Sequence, residues 1–303
     1  MDQHAFLVQT PVAKRHLEAL PWISYWTIMA ISFGAGFWWL HGRPIDPMTG
    51  AILSVGNMLL VAVCEFLIPG VPGVNLFRDR QSWNDIGHLI VDNHAAKPVA
   101  WWVTLGLVGF TGSHWRSSVG AWPTNLPQPL QLFLLLLSFN FLGYWIHRAF
   151  HSFDLLFRFH AIHHDTERIH MLKAGRIHFG EELINFVAQV SPFLLVQAPQ
   201  TMLIWLGTWN VFEGNLAHSN VAQRFPWWFH FIGLTSQEHT LHHSTNPELQ
   251  NRNFSALPIW DVIFGTFTHP DGKKVTSTGL RRNPIPPAFV RQLMFPFSRV
   301  SDL

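Results

Sequence analysis

Residues 126–151 read LPQPLQLFLLLLSFNFLGYWIHRAFH, an apolar run that passes without interruption into two histidines, His147 and His151. At about 1.5 Å of rise per residue such a run is long enough to cross the ~30 Å hydrocarbon core of a bilayer as a helix. Four residues advance a helix by about 400°, so the two imidazoles lie on one face and can reach one metal ion. Nine residues after His151 comes HAIHH, where His160, His163 and His164 gather three rings on one side of a turn. HTLHH (His239, His242, His243) repeats that pattern far along the chain, with His178 in AGRIHFGEEL and His218 in NLAHSN between them.

Ten candidate imidazoles exceed what one ion takes, since a divalent metal rarely has more than about six ligands, and the economical reading is a dinuclear site. A lone histidine such as His41 or His114 is more simply a hydrogen-bonded surface or core residue. Three boxes together are not, because each neutral ring packed without metal needs a donor and an acceptor, and protonated neighbours repel. The carboxylates Asp165, Glu181, Glu182, Glu238 and Asp261 suit the outer ring nitrogens, as does the Asn220 amide beside His218. Each carboxylate is equally well explained as a solvated charge.

The rest of the composition narrows the class. Only 13% of the residues are charged, about half the share usual in a soluble protein, and there are 15 Trp and 26 Phe. A formal net charge of +2 offers no basic stripe for nucleic acid. The single cysteine, Cys64, excludes an internal disulfide and any cysteine-based metal site, so metal must be held by histidine or carboxylate. Twelve of the 19 histidines fall between His147 and His243, which makes that stretch the chemical centre of the chain.

Residues 22–40 and 50–69 are apolar runs separated by HGRPIDPMTG, the pattern of a transmembrane hairpin with a tight turn. A second pair comprises residues 98–112, with a start as early as Ile86, and residues 126–146. Residues 183–212, interrupted by Pro192 and Pro199, read as a broken span or a re-entrant hairpin, the latter preferred. Lys14, Arg15, Arg78, Arg80, Lys97, Arg148, Arg158, Arg168, Lys173 and Arg176 fall on one side against Arg43 and Arg116 on the other, which predicts a cytoplasmic location for the histidine boxes. The expected fold is an all-α integral membrane protein. About four transmembrane helices plus a re-entrant or broken helical hairpin are capped by a cytoplasmic helical domain that holds the dinuclear site. Residues 1–20 form a cytoplasmic leader, 21–128 the N-terminal transmembrane helices, 129–270 the catalytic region and 271–303 a cytoplasmic tail, with both termini on the cytoplasmic side.

HRAFH, HAIHH, HSN and HTLHH, followed by NRNFSALPIWDVIFGTF, resemble the fatty acid hydroxylase and sterol desaturase superfamily over roughly residues 130–268. The resemblance implies that His147, His151, His160, His163, His164, His239, His242 and His243 bind two iron ions on the cytoplasmic face, with His218 beside them. His178 resembles the RxHP position of that family, but Phe179 stands where proline is usual. Asn253-Phe254-Ser255 departs from the NYG found in many members, whereas Trp260, Asp261, Phe264, Gly265 and Thr266 fit. The implied reaction is O2-dependent hydroxylation or desaturation of a C–H bond in a membrane lipid, with sterol-like ring oxidation and ether-lipid cleavage as alternatives. Zinc is a plausible substitute for iron in purified protein.

No nicotinamide, flavin or haem motif is present, so electrons must come from an external donor, a ferredoxin or a cytochrome b5-like protein with its reductase. Basic residues near the boxes could guide that donor or simply mark the inner leaflet. Phe139, Phe141 and Trp145 could line a channel for the lipid or could simply pack. Two non-enzymatic readings use the same residues: a bis-histidine haem electron carrier, and a metal transporter with Glu65 as its interior ligand.

Overall fold

Proline, glycine and a capping aspartate punctuate the apolar N-terminal third into a helical hairpin. In the computed structural model, which describes residues 19–114, 121–282 and 284–298, α1 spans Leu20–Leu40 and α2 spans Pro47–Leu67. Helix α1 stops where His41 and Gly42 take left-handed backbone angles, φ 46° and 80°. Pro47 then occupies the first turn of α2, and the Asp46 side chain accepts the Thr49 N–H at 2.7 Å. The expected leader lies, as far as residue 18, outside the described residues, as do Lys14, Arg15 and Arg116.

Helix α3 (Ser82–Val91) runs through a π-helical turn at Asp92–Ala96 into α4 (Lys97–His114). The helical path therefore begins earlier than Ile86, and the π turn adds a residue to the helix, bringing Asp92 inward. Helix α5 (Gln128–Ser152) contains the apolar run and both His147 and His151, and Phe153, with extended φ −120° and ψ 119°, breaks it from α6 (Asp154–His164). Residues 183–212 belong to two full helices, α7 (Phe179–Leu195) and α8 (Gln200–Ala217). Pro199 caps α8 and makes the break, whereas Pro192 falls in the last turn of α7 and leaves that helix intact. Shorter helices follow: α9 (Ser236–His242), α10 (Pro247–Gln250), α11 (Ile259–Ile263) and α12 (Phe289–Met294). Among the described residues there is no β-strand, only the isolated bridges Pro69–Val221 and Ser244–Thr278.

Two of these helices, α2 and α5, are long and apolar enough to cross a membrane. Their outer faces stay apolar, as at Leu59, Phe66 and Phe133, while the inner faces are tied together by a few satisfied polar groups. Asn57 of α2 donates to Ser32 of α1 at 2.9 Å and accepts from Asn215 of α8 at 2.9 Å. In an apolar interior, where an unmet amide is costly, such a ladder fixes which helices are neighbours.

Beyond the helix ends lies a buried ion network. Lys173 Nζ sits 2.8 Å from both Asp79 and Asp85, and Arg176 pairs with Asp85 at 2.8 Å and Asp165 at 2.6 Å. Lys173 and Arg176 are fully buried, which corrects their reading as basic markers of a membrane face: they neutralise interior carboxylates. Removing one partner of a buried pair leaves an uncompensated charge and costs about 3–5 kcal/mol. Arg176→Met is thus expected to lower the thermal midpoint in detergent by several degrees, and an unchanged midpoint would show the network to be energetically idle.

Candidate metal centre

Helices α5 and α6 meet at a sharp corner, so the HRAFH and HAIHH faces oppose each other. The α8 terminus and α9 close the other sides. Helix α9 is only two turns long and is held by a capping box in which Thr235 and Glu238 satisfy each other's backbone amides. The result is two adjacent sets of inward imidazole nitrogens: His147, His151, His160, His164 and His242 in one, and His163, His218, His239 and His243 in the other. Within each set all ligating atoms lie within 4.8 Å of one another. The His164 and His243 rings stack with centroids 4.6 Å apart, so the sets share a wall.

The donor spacing tests whether a metal fits. Two nitrogens about 2.1 Å from one ion and at right angles are about 3 Å apart. His147 Nε2 lies 3.1 Å from His160 Nε2, which lies 3.1 Å from His164 Nε2, itself 3.1 Å from His151 Nε2. In the second set, His218 Nε2 is 3.2 Å from His163 Nε2 and 2.7 Å from His239 Nε2, which is 3.0 Å from His243 Nε2.

The outer nitrogens decide where the protons sit. Carbonyl oxygens only accept, so His147 Nδ1 donates to Phe254 at 2.7 Å, His218 Nδ1 to Gly214 at 2.9 Å and His242 Nδ1 to Arg252 at 2.8 Å. The Glu181 carboxylate accepts likewise from His160 Nδ1 at 2.7 Å. With those protons held outside, the Nε2 lone pairs point inward, and the buried His242 Nε2 has no hydrogen-bond partner at all. A cation inside each set would satisfy them.

Protonation does not substitute for a metal. Burial first, then the neighbouring rings, hold His160, His163, His164, His239, His242 and His243 well below the ordinary imidazole range. At neutral pH these rings are neutral, the form that can bind a metal.

The remaining sequence candidates take other places. His178 caps α7: its Nδ1 accepts the Gly180 N–H at 3.0 Å and its Nε2 donates to Leu293 O at 3.0 Å, so it joins neither set. Of the outer partners, Glu181 touches a box histidine. Glu182 lies on the cavity wall described below. Glu238 instead binds His230 and caps α9, and Asp165 accepts from Arg176. Asn220 ties the chain after α2 to the end of α8 through Val71 and Val74.

Asp261 acts at one remove, accepting the Phe254 and Ser255 N–H groups at 2.8 Å each and so presenting the Phe254 carbonyl to His147. The turn needs a left-handed residue only at Asn253, φ 55°, so serine at 255 is accommodated without glycine. Glu65, the interior ligand of the transporter reading, accepts the Met171 and Asn220 backbone amides at 2.8 Å each. A third convergence, of Asp79, Asp85 and His170, already contains the Lys173 ammonium. Neither this network nor the backbone acceptors of the histidines had a signal in the sequence, because each depends on residues far apart in the chain.

His147, His160, His163 and His218 also line the end of a cavity of about 1100 Å³ running between α2, α4, α5, α7 and α8. Its far end reaches Pro47 and Gln200, the opposite ends of α2 and α8, about 27 Å away at 1.5 Å per residue of α8. Phe139 lines it, whereas Phe141 and Trp145 pack on Trp260 and Phe264.

Fold and site together define a helical protein with a candidate two-metal histidine centre at the end of a long internal tunnel. Residues 132–266 match the fatty acid hydroxylase family. The chain is 32% identical over 255 residues to the ornithine lipid hydroxylase OlsE of Rhizobium tropici, covering 82% of this chain and 75% of that protein. It is 28% identical over 134 residues to an alkylglycerol monooxygenase of Danio rerio, covering 44% of this chain and 29% of that protein. It is also 32% identical over 136 residues to a putative methylsterol monooxygenase of Dictyostelium discoideum, covering 42% of this chain and 46% of that protein. No solved structure matches the chain significantly. The chain belongs to the fatty acid hydroxylase and sterol desaturase superfamily. It is accordingly an oxidoreductase and, with its apolar helices, a membrane protein.

Two outcomes follow. His242→Ala and His239→Ala disrupt different sets, so each is expected to lower bound metal from about two ions per chain to about one by elemental analysis, and the pair of changes to remove both. Because the folded-state values lie below the unfolded value near 6.5, the stability carried by the neutral rings is present above that pH and lost as pH falls through it. The thermal midpoint of the metal-free protein should fall as the pH drops from about 6.5 to 5.

Proposed function

We propose that the chain is an O2-dependent diiron oxidoreductase that hydroxylates a C–H bond of a membrane lipid. The observation that carries this reading is the meeting of two neutral-nitrogen sets, five and four donors, with the end of a tunnel as long as a lipid chain. Two irons held there would supply the activation of O2 that an unreactive C–H bond demands.

The protein's own part is placement and dryness. Helices α5 and α8 form the tunnel walls and position an extended chain with one carbon at the histidines. Phe254, whose ring packs against His147, His151 and His242, covers the centre, and its carbonyl holds the His147 proton outside. Glu181 Oε1 keeps the His160 proton on Nδ1, so His160 Nε2 remains a donor to metal.

Hydroxylation is preferred over desaturation, ring oxidation or ether cleavage because the relative matched over most of its length is an ornithine lipid hydroxylase. The spans in this reading are α1, α2, α3–α4 and α5, with α7–α8 as the hairpin between them and the histidine ends on the cytoplasmic face. An external ferredoxin or cytochrome b5-like donor completes the reaction. Lys173 and Arg176 are buried and cannot guide it.

The test combines metal and product. Protein made in iron-57 medium and purified anaerobically is expected to hold about two irons per chain by Mössbauer spectroscopy. Cells expressing it under 18O2 should then accumulate a lipid heavier by one labelled oxygen, absent from the His163→Ala, His242→Ala variant. Iron at two per chain with no labelled lipid in any class would sink the hydroxylation reading. A Soret band in place of the iron pair would sink the diiron one.

A further inference from the structure

The tunnel wall near the histidines carries more acid than its own bases neutralise. The π turn between α3 and α4 brings Asp92 inward to 4% exposure, where its Oδ2 pairs with Lys97 Nζ at 3.0 Å. Its Oδ1 is buried and has no hydrogen-bond partner. The first turn of α7, which packs against the π turn, adds Glu181 and Glu182. Glu181 Oε1 is taken by His160, while its Oε2 is buried and likewise unpartnered. Asp92, Lys97, Glu181 and Glu182 all line the same cavity as the histidines, so three carboxylates face one ammonium in a largely apolar space. A buried carboxylate oxygen without a donor is costly, and burial pushes all three acids towards their protonated forms; a cation entering with the ligand would relieve the same cost.

We propose that Asp92, with Glu182 beside it, forms a subsite for the ammonium of an amine-bearing lipid headgroup. Lys97 neutralises one Asp92 oxygen and leaves the other to accept the ligand's N–H. The ammonium lies near the histidine end, since Glu182 adjoins Glu181 and Glu181 touches His160, and the apolar length towards Gln200 is left for the chain. A headgroup that is neutral or purely anionic would leave Asp92 Oδ1 unmet or repelled. This assignment rests on the lipid reading of the tunnel but not on turnover.

The experiment therefore measures binding. Octylammonium and octanol are titrated below their micellar concentrations into the metal-loaded, detergent-solubilised protein by calorimetry. Octylammonium is expected to bind at least about tenfold more tightly than octanol, and Asp92→Asn to bring the two within about twofold. Iron content and thermal midpoint are measured on each preparation. If Asp92→Asn is not recovered folded, Glu182→Gln carries the test, and an undiminished ammonium preference in it overturns the subsite. Equal binding of the two probes by the unaltered protein also overturns it, even if a lipid is oxidised. An ammonium preference that depends on Asp92, in protein that oxidises no lipid, keeps the subsite and removes the hydroxylase reading instead.

Discussion

The inward lone pairs of the imidazoles are the constraint around which the protein is organised. His147, His218 and His242 each have their outer proton held by a backbone carbonyl, and His160 has its proton held by Glu181. The Nε2 atoms of His147 and His160, so arranged and 3.1 Å apart, repel unless a cation lies between them. Much of the surrounding architecture serves to hold these acceptors in place. Asp261 folds the Phe254 turn, the Thr235–Glu238 box fixes the start of α9, and α12 receives His178 so that α7 begins where Glu181 can reach His160.

The buried charges around the centre divide into two kinds. Those beyond the helix ends are complete: Lys173 and Arg176 face Asp79, Asp85 and Asp165 at 2.6–2.8 Å, and the network clamps α3 to the segment after α6. Those on the tunnel wall are incomplete, with free oxygens on Asp92 and Glu181. A fully paired network is structural in character, and an unpaired one facing a cavity is a place for a ligand.

Much of this was legible along the chain. The hairpin α1–α2 followed from Pro and Gly between two apolar runs, and the box spacing brought His147 and His151, and His160, His163 and His164, onto single faces. The break in the α7–α8 hairpin was visible at Pro199, though Pro192 could not be distinguished from a second breaker, because the sequence does not show that α7 runs only three residues past it, to Leu195. Lys173 and Arg176 looked like membrane-face markers because a sequence does not show burial. His178 looked like a ligand because its place in the sequence resembles the RxHP position of the family, and only the position of Leu293, 115 residues away, shows where its Nε2 is used.

What the sequence by itself determined is periodic and local: an all-helical chain, the apolar lengths and the histidine faces, all of which depend on spacing within a few residues. Only the tertiary structure decided how nine of the ten histidines divide into sets of five and four, which carbonyls hold their protons, and that the tunnel and its unpaired acids reach the same centre. Those outcomes turn on distances between residues far apart in the chain, set by helix packing, and no local pattern encodes them.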